Sequence, residues 1–226
     1  MLNIAGLTTL FCGMDSIFTK FGFEGVYYLL HCIHNGAIVY YTWPDVALAL
    51  TDFSKAGSID PNYPALELVF ALHIYHIVYY WRKFRFDDWL HHVLMVGIAL
   101  PIGGLLPSGA LLGYSLFFTT GLPGGLDYSM LFLVRNGLMA RETEKKANAW
   151  LSTWIRSPGC ASHAALTLAF LSMSGMAQWS PFWCGAILTA ALNYWNGQYF
   201  AAQVIYNAGQ LHLWEKPTPR PVLHAL

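Results

Sequence analysis

Apolar residues occur along this chain in six long runs separated by short polar stretches. Each run is close to the about 20 residues that an α-helix needs to cross the hydrocarbon core of a bilayer. The pattern predicts an all-α fold, a polytopic membrane bundle of about six transmembrane helices. The predicted spans cover residues 25–43, 64–81, 87–106, 109–135, 160–178 and 182–211.

Prolines accompany the ends of these runs, where the N–H that proline lacks is not needed. We therefore expect each of these prolines to mark the end or the beginning of a helix. They are Pro44, Pro64, Pro107, Pro158 and Pro181.

The fourth run carries the sequence Gly121-Leu122-Pro123-Gly124-Gly125 in its middle. Proline and glycine disfavour a helix interior, so we expect the fourth span to be broken at Gly121–Gly125. Unpaired backbone at membrane depth is tolerated where it is buried in protein or lines a watery cavity, and substrate sites often use such helices. A kink that serves only packing is the alternative, and the nearby Asp127 favours the site.

Composition agrees with a membrane location. The 226 residues are 56% hydrophobic and 11% charged, whereas a soluble domain carries about 25% charged residues. The formal net charge is zero, which gives no indication of a nucleic-acid partner.

The basic residues fall almost entirely on one side of the predicted bundle, so the positive-inside rule places both termini in the cytosol, or in the matrix or stroma of an organelle. Lys55 is the exception. The basic residues on the inner side are Lys20, Arg82, Lys83, Arg85, Arg135, Arg141, Lys145, Lys146, Arg156, Lys216 and Arg220.

Three parts follow from this layout. Residues 1–24 form an N-terminal segment that lies in the interface or packs against the bundle, residues 25–212 form the membrane domain, and residues 213–226 form a tail on the inner side. The loop 136–156 places apolar residues, Trp150 and Trp154 among them, at helical spacing opposite its charges. This pattern predicts a helix lying on the headgroup surface.

Six histidines fall in the inner half of the predicted spans, and ionisable groups inside a membrane mark functional sites. The pairs His31/His34 and His73/His76 are three residues apart, so each pair shares a helix face. His91 and His92 point about 100° apart, so we expect at most one of them to enter a common centre.

The sixth run carries amide side chains on one helical stripe, which we expect to face inward. The stripe lines a cavity or joins helices by hydrogen bonds, and the sequence favours neither. Its members are Asn193, Asn196, Gln203, Asn207 and Gln210.

Several chemistries fit the histidine cluster. A histidine assisted by Asp127 can take a proton from a hydroxyl or an amine during acyl transfer. Neutral imidazoles can also hold a transition metal or ligate haem. We predict no metal, because the segment from His73 to Ile77 lacks the third histidine of an HxxHH box. Structural hydrogen bonds between helices are the remaining interpretation.

The stretch DDWLHHVLMVGIALP, which follows HIYHIVYY and a short basic hinge, resembles the TLC domain family over about residues 25–212. That family has a helical membrane core in which a histidine pair opens one span and an acidic residue follows in the next. The resemblance implies that His91 and His92 are catalytic and that Asp127 is their acidic partner. The chain has residues 97–101 where the ceramide synthases of the family carry a second histidine pair.

The predicted function is therefore lipid metabolism or lipid handling, with acyl transfer of the ceramide-synthase type from acyl-CoA as its enzymatic form. No cofactor is expected besides acyl-CoA as a co-substrate. Membrane lipids are the expected partners, with other membrane proteins or a second copy of the chain, in the endoplasmic reticulum or an organellar inner membrane. The predicted substrate-binding residues are His31, His34, His73, His76, Asn193, Asn196, Gln203 and Asn207. The competing hypothesis is a non-catalytic membrane subunit of a larger organellar complex.

Overall fold

The computed structural model describes residues 3–215, with side chains as far as residue 210. Every regular element in this range is helical, which confirms the all-α class. The predicted tail, residues 213–226, lies outside the described residues apart from its first three. The first four helices are α1 (Ile4–Lys20), α2 (Val26–Thr51), the short α3 (Phe53–Ala56) and α4 (Tyr63–Tyr80).

Three compound helices follow, each made of two α-helices joined without a break by a π-helical turn. Helix α5 (Phe86–Leu94) continues through Met95–Ala99 into α6 (Leu100–Leu105). Helix α7 (Ala110–Leu116) continues through Phe117–Gly121 into α8 (Leu122–Arg135). Helix α9 (Arg141–Leu151) continues through Ser152–Arg156 into α10 (Ser157–Met173), and α11 (Pro181–Glu215) ends the described chain.

Each π-helical turn ends two residues before a proline. The three prolines are Pro101, Pro123 and Pro158. A proline in a helix interior removes one hydrogen bond, and its ring collides with the carbonyl four residues earlier. The wider π turn, which bonds each N–H to the carbonyl five residues back, accommodates this loss without ending the helix.

The sequence therefore overestimated how strongly proline interrupts this chain. The predicted break at Gly121–Gly125 is wrong, because the chain stays helical from residue 110 to residue 135. Pro123 has no N–H to give the carbonyl of Thr119, and Arg156 Nη2 donates to that carbonyl at 3.0 Å. Gly124 allows a close approach of α2, since a Cβ there would lie 3.0 Å from Asn35 Nδ2.

Pro44 and Pro158 also fail to end a helix. Helix α2 continues past Pro44 for seven residues to Thr51. Asn62 Nδ2 donates to the carbonyl of Tyr41, three residues before Pro44, at 2.8 Å. The side chain of Asn62, which caps the start of α4, thus supplies a donor to the turn that the proline disturbs.

The helix predicted within loop 136–156 forms the first part of the α9–α10 helix. Its Glu144 and Asn148 are buried, whereas Trp150 and Trp154 are exposed. The buried polar face packs against α8 and α11, so part of the face that the sequence assigned to solvent lies inside the bundle.

Helix α2 lies at the centre of the bundle, between α4 on one side and the α7–α8 helix on the other. The α10 and α11 helices pack along each other, with Gly197 of α11 close to Cys160 of α10. Helix α1 packs along α4, where Phe11 joins the core that Leu30, Ile38 and Tyr75 form. Residues 4–20 therefore pack against the bundle, which is one of the two placements that the sequence left open.

One described helix, Phe86–Leu105, combines the length and the apolar composition of a membrane span.

The contact between α1 and α4 depends on one buried carboxylate. Asp15 accepts hydrogen bonds from the hydroxyls of Tyr75 and Tyr80, the second at 2.6 Å. We expect Asp15→Ala to lower the free energy of unfolding by about 2 kcal/mol, because it leaves two hydroxyls without their acceptor. Thermal unfolding in detergent micelles measures this.

Ser16→Ala is the matched control on the next residue. The Ser16 hydroxyl bonds to Tyr79 at an exposed position, so its loss should cost less than about 0.5 kcal/mol. Equal unfolding temperatures for Asp15→Ala and the unmodified protein would contradict the assignment.

Candidate functional site

A cavity of about 540 Å³ runs between α2, α4, the α5–α6 helix, the α7–α8 helix, α10 and α11. Residues of all three π-helical turns line it, among them Met95, Thr119 and Arg156. Because π turns widen a helix locally, they give the cavity part of its wall. The turns that accommodate proline are therefore also part of the candidate site.

The cavity has an apolar section and a polar section. The apolar section is lined by aliphatic and aromatic side chains that include Leu66, Leu72, Leu106, Leu112, Leu192 and Phe170. The polar section is lined by histidine, charged and amide side chains that include His31, His73, His76, His91, His92, Asp127 and Arg156. The cavity therefore offers apolar surface together with polar and charged groups.

The first pair of linked histidines is His73 and His91. The Nδ1 of His73 lies 2.7 Å from the carbonyl of Val69, and a carbonyl only accepts, so this nitrogen carries the proton. The bare Nε2 of His73 lies 3.2 Å from Nε2 of His91 and accepts from it. In a neutral His91 the remaining lone pair is then on Nδ1.

The second linked pair is His92 and His76. The Nδ1 of His92 donates to the carbonyl of Asp88 at 2.7 Å, so its Nε2 is bare. That nitrogen lies 3.4 Å from Nδ1 of His76 and accepts from it. The Nε2 of His76 is buried and has no hydrogen-bond partner among the described residues. This pair also ends in a free lone pair on a residue that lines the cavity.

His31 belongs to the same cluster through ring stacking. Its ring stacks on Tyr128, with centroids 3.9 Å apart, and on His76, with centroids 4.6 Å apart. Its Nδ1 donates to the carbonyl of Tyr27 at 2.7 Å. The stack fixes the ring plane of His76 from one side.

The structure does not bring His34 to the cavity. It is buried against Phe11 of α1, with ring centroids 6.0 Å apart, and its Nδ1 lies 2.9 Å from Asn35 Oδ1. Residues three apart on a helix still point about 60° apart. In α2 that angle separates His31, in the cluster, from His34, which faces the neighbouring helix.

The expectation that at most one of His91 and His92 enters the centre is wrong. Both line the cavity, because His91 contacts His73 while His92 contacts His76, one turn along α4. The two rings are 5.4 Å apart and perpendicular. The centre is extended along α4, so two side chains that diverge from α5 can both reach it.

Asp127 lines the cavity, but its described neighbours are not histidines. It interacts electrostatically with Arg156, Glu144 and Lys145, and Asn148 is its hydrogen-bonding neighbour. The Oδ1 of Asp127 and the Nε of Arg156 are buried and have no hydrogen-bond partner among the described residues. The predicted pairing of Asp127 with His91 or His92 is absent from the described contacts.

The amides of α11 line the cavity along much of its length. Asn193 is buried, Asn196 is half-buried, and Gln203 and Asn207 are exposed. Asn193 Nδ2 donates to Ser115 Oγ at 2.6 Å and lies 2.8 Å from His163 Nδ1. The Asn193 amide therefore both joins helices by hydrogen bonds and lines the cavity, the two roles between which the sequence did not decide.

Sequence reasoning missed His163 and Arg156. A lone histidine in an otherwise apolar run is a signal that could have found His163, because ionisable groups are rare inside spans. Nothing in the sequence separates Arg156 from the other basic residues of its loop. Its position follows from the continuous α9–α10 helix, which carries it to the cavity wall.

No group of three or more His, Cys, Asp or Glu side chains within the described range 3–215 is arranged to hold a metal ion. The histidines instead bond to one another and to backbone carbonyls.

No protein-family model, curated protein or solved structure matches this chain.

The carbonyl bonds predict the tautomers of the histidines. We expect His31, His73 and His92 to carry the proton on Nδ1 and His91 to carry it on Nε2. Nitrogen-15 solid-state NMR of histidine-labelled protein in bilayers measures this, with single His→Phe variants for assignment. His163 is an internal control, since its Nε2 bonds to Thr167 and should be protonated. A protonated Nε2 and bare Nδ1 on neutral His73 or His92 would contradict the arrangement.

Proposed function

We propose that the chain is a multi-pass membrane protein with α2, α4, the α5–α6 helix, the α7–α8 helix, α10 and α11 as its spans. The distribution of side chains supports this. Buried positions hold polar residues such as Asn35, Thr42 and His73, whereas Tyr40 and Leu105 are 77% and 74% exposed. Apolar side chains suit an outer surface that faces lipid, and polar groups inside a membrane face the bundle interior.

Within that membrane the protein acts on an acyl lipid. The observation that carries the proposal is one cavity that joins an apolar section to five histidines. Pockets recognise the shape and polarity of their ligands, and this one matches an acyl chain with a polar or reactive head. The likeness of the sequence around His91 and His92 to the TLC domain family supports the same class. The endoplasmic reticulum, or an organellar inner membrane, is the proposed location.

Acyl transfer from acyl-CoA is the reaction that the site serves in this proposal. A histidine takes the proton from the hydroxyl or amine of an acceptor lipid as that group attacks the thioester carbonyl. The new C–O or C–N bond forms, the C–S bond breaks, and the imidazolium returns the proton to the leaving thiolate. Arg82, Lys83 and Arg85, at the inner end of the bundle, suit the phosphates of the CoA.

The hydrogen bonds distribute the roles among the histidines. His76 and His91 hold the lone pairs that can take a proton, while His92 and His73 orient them and accept their N–H groups. A base whose second nitrogen is fixed by an acceptor is favoured once it becomes charged. In this proposal Asp127 contributes indirectly, through its electrostatic interaction with Arg156, which lines the cavity.

We expect His76→Gln or His91→Gln to lower turnover by about 100-fold or more, because general-base catalysis contributes about that much. The measurement is transfer of a labelled acyl group from acyl-CoA in proteoliposomes containing a mixture of native lipids. His34→Gln is the control, since this buried histidine lies away from the cavity and its variant should retain turnover. Unchanged turnover in both cavity variants, with lipid product still formed, would contradict the assignment of His76 and His91 as bases.

A non-catalytic subunit of a larger complex is the competing function. Purification from the native membrane in mild detergent, followed by mass spectrometry of bound lipid and protein, separates the two. The proposal expects an acyl lipid, a fatty acid or acyl-CoA bound to the chain. A fixed set of partner proteins with only bulk phospholipid would favour the subunit.

A further inference from the structure

The apolar section of the cavity contains a second polar cluster, separate from the five histidines. Ser115 of α7, His163 of α10 and Asn193 of α11 meet there, and all three line the cavity. His163 and Asn193 are only 6% and 7% exposed. Polar groups this deeply buried are costly unless they are hydrogen-bonded, so each donor and acceptor of the cluster is expected to have a partner.

The hydrogen bonds fix the orientation of the Asn193 amide. Thr167 donates its hydroxyl hydrogen to the carbonyl of His163 at 2.9 Å, so its oxygen is free to accept from Nε2 of His163, 3.4 Å away. His163 then has a bare Nδ1, which must accept from Asn193 at 2.8 Å. The Nδ2 group of Asn193 is therefore the one that faces His163.

Both hydrogens of that NH₂ group are used, one for His163 and one for Ser115. The other end of the amide, Oδ1 of Asn193, is buried and has no partner within the described part of the chain. A carbonyl oxygen only accepts, so its missing partner is an O–H or N–H donor. Because Asn193 lines the cavity, a bound ligand can supply that donor.

The position of Asn193 says where on the ligand the donor lies. On α11 the ring of Phe200 contacts His91, with centroids 6.3 Å apart. Asn193 lies seven residues earlier, which is roughly 10 Å along a helix. The donor thus sits well away from the reactive head, among apolar side chains such as Leu112 and Leu192.

We propose that Asn193, held by His163 and Ser115, is a subsite that recognises a hydroxyl group partway along the acyl chain, so that the cavity selects hydroxylated acyl chains. The inference rests on the proposed lipid site and names the substrate class. A plain chain would leave the amide oxygen unpaired, and sites built around such an acceptor discriminate against ligands that lack the donor.

The test uses the full chain in nanodiscs and a series of hydroxystearic acids that differ only in the position of the hydroxyl. Each acid competes with stearic acid, and native mass spectrometry gives the ratio of the two bound forms. We expect one mid-chain position to be preferred by about tenfold, the worth of one buried hydrogen bond. In Asn193→Leu, which keeps the size but not the acceptor, the ratio at that position should fall to about one.

Equal ratios at every position in the unmodified protein would overturn the inference. Retention of the preference in Asn193→Leu would overturn it as well. The positional series needs no variant, so it decides the matter even if Asn193→Leu does not fold. If stearic acid occupies the cavity without any positional preference, only this inference fails; if no acid binds, the proposed lipid site fails too.

Discussion

The structure depends on how long helices accommodate proline. Pro101, Pro123 and Pro158 each stand inside a continuous helix, and in each case a π-helical turn ends two residues before the proline. The extra residue in the π turn makes room for the proline ring and accommodates the loss of its N–H, so the helix continues. The three turns face the same cavity, and Arg156, which lies in one of them, bonds to the Thr119 carbonyl in another. Proline thus shapes the site rather than ending the helices around it.

Backbone carbonyls set the chemistry of the histidine cluster. A histidine whose Nδ1 donates to the carbonyl four residues earlier has a fixed tautomer and a fixed ring plane. His31, His73 and His92 all do this. The lone pairs that remain available belong to neighbouring rings, so they follow from how the histidines are paired and not from the His91-His92 motif alone.

The proposed function uses the apolar section and the histidine section of the cavity in different ways. In the proposed function the apolar section binds a chain without directional contacts, through the removal of apolar surface from water or from competing lipid. The histidine section would position the reactive group, and Asn193 would add one directional contact within the apolar section. Affinity, reactivity and selectivity would then come from different residues of one cavity.

The sequence alone determined the helical class, the approximate extent of the helices and the inward position of most histidines and amides. These follow from hydrophobic periodicity and from the cost of burying polar groups, which are local properties. It misjudged Pro44, Pro123 and Pro158, because whether a helix continues past a proline depends on donors from distant parts of the chain, such as Asn62 and Arg156.

Only the tertiary structure decided which side chains meet. His31 and His34 have the same spacing as His73 and His76, yet α1 covers His34 while His31 stacks between Tyr128 and His76. The contact of Asn193 with His163 joins residues thirty positions apart. Pairings of this kind depend on how whole helices pack against each other, which no local pattern of residues encodes.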